Sequence, residues 1–119
     1  MIDGQRLELW SDGQRLVVDR KKQPGIYRPR VTKLVARQEQ GSVVVFIDDR
    51  RLEMTTPIAV KVGFSLCKNG GAWLEPDDRV LLEISGTEIL LLPEIAVRLG
   101  GAILRKADRA DDWQRETVH

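Results

Sequence analysis

Few residues of this chain have the type and spacing to do chemistry, and most of those sit where turns and helix ends favour them. The one histidine, His119, is the last residue, where a fraying backbone holds no fixed geometry for a general base. Ser–His and Cys–His nucleophilic arrangements therefore have no partner to be built on. No cysteines or histidines show the spacing zinc requires, and neither phosphate-cradling signature, G-x-G-x-x-G or G-x-x-x-x-G-K-S/T, occurs. Carboxylates remain. Asp48-Asp49 and Asp77-Asp78 are adjacent pairs of the kind that hold a divalent cation or divide acid and base roles. Both fall in polar turns, where Asp is favoured because its side chain bonds the local backbone. Asp108, Asp111 and Asp112 alternate with Arg109 and Arg115, the pattern of a solvated helix end with weak ion pairs. No enzyme, cofactor, metal centre or small-molecule substrate is expected from this inventory.

The single cysteine, Cys67, has Lys68 beside it, thin support for a lowered thiol pKa. Its expected role is that of a small apolar residue in a helix.

Charge is more informative. Arg15 to Arg37 holds eight Lys and Arg residues and one acid, a local charge of +7 within a chain whose net charge is +1. Such asymmetry marks a candidate anion-binding face. Arg20, Lys21, Lys22, Arg28, Arg30, Lys33 and Arg37 are the candidate phosphate contacts, with Tyr27 as a stacking residue and Trp10 a further aromatic surface. The competing reading is a solvated connection whose charge is balanced by acidic turns elsewhere, and the near-zero total favours it. The first functional expectation is a small, non-enzymatic regulatory protein engaging DNA or RNA through this segment. The alternative is a protein–protein interaction module, an inhibitor, adaptor or homodimer, using a sheet edge or the region of Trp73 and Trp113, since exposed aromatics are enriched at interfaces.

The elements that must position these residues follow from periodicity. Leu7–Trp10 and Arg15–Val18 flank Asp12-Gly13, a hairpin signal because glycine tolerates the positive φ of a tight turn. Asp19 to Pro29 reads as a breaker-rich loop. Val31–Gln40 fits either a helix or a strand; pairing with the next strand favours the strand.

The second half then repeats itself at an offset of 37 residues. Val43–Lys68 laid over Val80–Arg105 matches apolar positions nearly throughout and is identical at Val43/Val80, Ile47/Ile84, Ile58/Ile95, Ala59/Ala96, Val60/Val97 and Gly63/Gly100. Each copy reads as hairpin then helix. In the first, Thr56 caps, Pro57 takes the first helical position, Ile58, Ala59, Val62 and Leu66 face inward, and Asn69-Gly70-Gly71 ends the helix in a left-handed conformation. In the second, Arg79–Ile84 and Glu88–Leu92 precede a helix from Pro93 to Trp113 with Ile95, Leu99, Ala102, Ile103, Lys106 and Ala110 inward. Ile58 and Ile95 are expected as equivalent core positions.

The expectation is one α+β domain over residues 1–119: an N-terminal hairpin and basic segment (1–42), a first ββα unit (43–71) and a second (79–113). Six to seven strands would form one antiparallel sheet with both helices on one face. A composition of 42% hydrophobic and 31% charged residues suits a soluble globular domain. The longest apolar runs are too short to span a bilayer, no secretory signal opens the chain, and one cysteine suits a reducing compartment, so a cytoplasmic location is expected.

Overall fold

The computed structural model describes residues 6–23, 33–72 and 74–117. It is an α+β fold of seven strands and two helices among those residues. β1 (Leu7–Ser11) and β2 (Gln14–Lys22) form the expected hairpin, with Asp12 at φ +53° and Gly13 at +73° in the turn. Both residues left-handed is the turn whose twist matches antiparallel strands. β2 is longer than expected: Asp19–Lys22, read from the sequence as the start of a loop, continue the strand because they pair with Leu81 back to Asp78, and the rest of that loop from Pro24 lies outside the described residues. β3 (Leu34–Glu39) is a strand, paired with β4 (Ser42–Ile47), which pairs in turn with β5 (Arg50–Thr55). α1 covers Thr56–Gly71; β6 (Asp78–Ile84), β7 (Thr87–Leu91) and α2 (Pro93–Thr117) complete the order.

The single sheet expected from the sequence is two sheets, one of four strands in the order β1-β2-β6-β7 and one of three in the order β3-β4-β5. The reason lies in the N-terminal hairpin. β6 pairs along its whole length with β2, Leu16 opposite Ile84 through Lys22 opposite Asp78, so the partner that would have joined it to the first unit is already taken. The sheets meet where β5 passes the hairpin ends of the larger one. There the Ser11 hydroxyl donates to the Glu53 carbonyl at 2.8 Å, and Arg50 donates to the Thr87 hydroxyl at 2.9 Å.

Both sheets turn an apolar face toward the helices. Leu16, Val18, Val43, Val45, Ile47, Val80, Leu82 and Ile84 join Val62, Leu66, Leu99 and Ile103 in one continuous core. The α1 stripe is Ala59, Val62, Gly63 and Leu66, with Asn69 also buried; in α2 it is Ala96, Leu99, Ile103, Ala107 and Ala110. Ile58 and Ile95 pack at the margin, half-buried, while Ala59 and Ala96 hold the central places. Small residues face inward because the helices pack closely. A Cβ on Gly100 would stand 2.6 Å from the Gly63 carbonyl oxygen, and one on Gly70 would stand 2.6 Å from the Pro93 carbonyl oxygen. Gly70 near the end of α1 thus serves close approach, and neither it nor Gly71 makes a left-handed stop. The helix runs through Gly71 into an extended Ala72. At its start Thr55, not Thr56, takes the cap position, without a side-chain cap bond.

The outer faces of the central strands are also dry. Val17, Val44 and Leu81 are buried although they point away from the helices. Arg15 explains the first. Glu8 and Glu83 flank Val17 across the ladder, and the Arg15 guanidinium reaches both, at 2.7 Å and 3.5 Å, roofing the valine with its stem. On the smaller sheet Arg37 stacks over the Phe46 ring with its guanidinium carbon 5.5 Å from the centroid, a cation–π contact that covers the same kind of position.

Candidate interaction surface

Of the eight candidate nucleic-acid contacts, Tyr27, Arg28 and Arg30 lie outside the described residues, as does Trp73 of the alternative surface. The other five do not form one patch. Arg20, Lys21 and Lys22 are on β2 of the larger sheet; Arg37 is on β3 of the smaller one and Lys33 immediately precedes it. The β2 cations are each held by carboxylates. Arg20 lies 3.6 Å from Asp78, Lys21 lies 2.7 Å from Glu88, and Lys22 spans Asp77 at 3.5 Å and Asp78 at 3.4 Å. Asp77-Asp78 is therefore the counter-charge of the basic segment. The Glu75 amide donates to Asp78 at 2.9 Å; that bond, with Lys22 and Arg20 beside it, holds the Asp78 carboxyl below its ordinary range against the opposing effect of burial. Lys33 is exposed, its amide donating to the Asp48 carboxylate at 2.8 Å, so this second acidic turn also closes on the backbone. Among the described residues no three His, Cys, Asp or Glu side chains gather as metal ligands.

Cys67 faces α2. Its thiol sits where it would meet a Cβ on Gly100, 3.7 Å from the Val97 carbonyl oxygen, and burial pushes its pKa up. A raised pKa keeps the sulfur protonated and weakly nucleophilic. Trp113 is on the C-terminal half of α2 and partly exposed.

The feature that stands out is on the other side of α1. Phe64 is 62% exposed in the middle of a helix. Grooves run along both sides of it. One, of about 460 Å³, lies between α1 and α2, with Val60, Leu104 and Ala107 in its walls and Asp108 and Asp111 at its rim. The other, of about 330 Å³, lies between α1 and the start of β1, floored by Leu7 and Val60 and rimmed by Arg6, Lys61 and Lys68. Lys61 borders both. Arg6 is engaged by Glu8 and Asp19; Lys61, Lys68 and Asp108 form no ion pair among the described residues. Lys61, Phe64 and Lys68 are three and four residues apart, hence one stripe.

Sequence reasoning passed over this stripe because it sought the inward face. The signal was nonetheless present: Phe64 falls outside the apolar periodicity of α1 and between two lysines, where an ordinary surface helix carries a polar side chain.

No family model, curated protein or solved structure matches the chain.

Proposed function

We propose that this protein is a non-enzymatic protein–protein interaction module that binds through the outer face of α1. The observation that carries the reading is Phe64, an exposed aromatic ring standing between two apolar grooves. Large apolar patches rimmed by charge are the usual form of a docking site, and an aromatic anchor at the centre of such a patch supplies most of its binding energy. Nucleic acid is the weaker reading. Each phosphate contact needs a cation that gives up little to reach it, whereas Arg20, Lys21 and Lys22 would have to leave carboxylates already in place.

Photo-crosslinking from position 64 tests the proposal, with benzoylphenylalanine replacing Phe64 and, as a control, Glu75 in the exposed turn before β6. A discrete protein adduct from position 64 and none from position 75 is expected. Equal labelling at both positions, with salt-sensitive binding of single-stranded DNA, duplex DNA or RNA in fluorescence anisotropy, would overturn it in favour of the basic segment.

The same reading extends to the two ββα segments, which we take to be copies of one ancestral unit. Their supports are geometric. Residues 37 apart meet at Gly63 and Gly100 and again at Arg50 and Thr87. Leu104 lies against Gly63 as its counterpart Cys67 lies against Gly100. The first two contacts join equivalent positions and the last two are mates of each other, as a local twofold relation between copies requires. The exposed aromatic breaks that equivalence, since the counterpart of Phe64 is Gly101. On this reading the docking face was added to one copy only.

A further inference from the structure

The face around Phe64 is charged in opposite senses on its two sides. Toward β1 the rim is cationic, with Lys68 and, on the crest shared by both grooves, Lys61 exposed and without ion-pair partners among the described residues. Toward α2 it is anionic, with Asp108 unpaired among the described residues and Asp111 engaged only by the exposed Arg115. A surface of this kind complements itself: a rotation of 180° about an axis through its centre lays each charged side over its opposite.

We infer that the partner on this face is a second copy of the same chain, in a twofold-symmetric dimer. The inference rests on the reading of the α1 face as a docking surface and gives it an occupant. An isologous interface uses one patch twice, so it demands self-complementarity, which few single-partner surfaces have. With the axis beside Phe64, each ring enters the α1–α2 groove of the other copy, against Val60, Leu104 and Ala107. Lys61 and Lys68 of one copy then face Asp108 and Asp111 of the other. The size is adequate. α1 is about 24 Å long, and with its neighbours on either side the face is about 30 Å wide, giving roughly 700 Å² against the ~800 Å² per partner of an ordinary stable interface. An acidic peptide would satisfy Lys61 and Lys68 but leave Asp108 and Asp111 opposed by like charge. A basic one would fail on the other side.

Sedimentation equilibrium of the full chain over roughly 1 to 200 μM, a range that captures weak and strong dimers alike, gives the first test; a dimer is expected. Phe64→Ser should weaken it at least tenfold. The decisive test is charge exchange. A variant with Lys61→Glu and Lys68→Glu places acids against acids in its own dimer, and one with Asp108→Lys and Asp111→Lys places bases against bases. Each should be monomeric alone, and an equimolar mixture should form a heterodimer of restored affinity. The substituted side chains are at the surface, so thermal unfolding followed by circular dichroism should show both variants folded; if either is not, the single variants Lys68→Glu and Asp108→Lys repeat the exchange. A wild-type chain monomeric throughout the range, or a mixture that stays monomeric, would overturn the inference. Cross-links from position 64 to a different protein, with the chain itself monomeric, would keep the docking face and remove the second copy. Absence of any adduct would remove both.

Discussion

The carbonyl oxygen of Gly63 lies 2.6 Å from where a Cβ on Gly100 would stand, so the two helices touch backbone to backbone at residues 37 positions apart in the chain. No other residue type fits at that crossing without separating the helices, and the core beneath them is built to this spacing.

Gly100→Ala should therefore destabilise the fold by about 1–3 kcal/mol, the range for an overpacked core, in spite of the better helix propensity of alanine. Gly63→Ala should cost less, because its closest neighbour is the Leu104 side chain at 2.8 Å and the backbone it meets, the Gly100 carbonyl oxygen, stands farther off at 3.0 Å. Gly71→Ala, where a Cβ meets nothing within 4 Å, should be neutral or stabilising by up to about 1 kcal/mol. Urea unfolding of the three variants tests the order; Gly100→Ala as stable as Gly71→Ala would refute the close crossing.

The core places ask for a graded response. Leu66→Ala and Ile103→Ala remove fully buried side chains and should each cost about 2–5 kcal/mol. Ile58→Ala and Ile95→Ala, half-buried at the margin, should each cost roughly 1–2 kcal/mol. Equal losses at all four positions would contradict the placement of Ala59 and Ala96 at the centre.

Arg15 is in the basic segment by sequence but acts as a cover. Arg15→Ala should expose Val17 and release Glu8 and Glu83, lowering stability by more than the loss of a single surface ion pair. Lys21→Ala, which removes one exposed ion pair with Glu88, should change it by less than about 0.5 kcal/mol. Denaturant midpoints compared at constant m-value decide between them.

Asp78 should make the fold acid-sensitive. Its carboxyl is held below the ordinary range by the Glu75 amide and then by Lys22 and Arg20. A group whose folded pKa is depressed contributes stability above its unfolded value, near 4, and that contribution disappears as pH falls through the folded value. Thermal midpoints should therefore drop as pH falls from about 5 toward 2. In Asp78→Asn, which keeps an oxygen for the Glu75 amide but cannot ionise, the drop should be shallower; an unchanged pH profile would show the carboxylate to be irrelevant.

Local signals settled much of this protein. Asp12-Gly13 called for a left-handed turn and has one, with Asp12 at φ +53° and Gly13 at +73°. Alternating and helical apolar periods placed β1, the first half of β2, β4 to β7 and both helices, because those periods report which side of an element is dry; they left β3 open between strand and helix and missed the second half of β2, where charged residues hide the alternation. The choice of partner for β6 was not legible: β2 and β5 present comparable apolar strands, and only the chain path through α1 and the N-terminal hairpin selects β2. Nor was the fate of the basic segment, since a run of charges shows neither Asp78 under Arg20 nor Glu88 beside Lys21 until the sheet brings residues more than fifty positions apart into register. The identity of Phe64 was in the sequence throughout. Its exposure was decided by packing, because two helices held together at glycines present only one face of α1 to the core and leave the opposite one to the solvent.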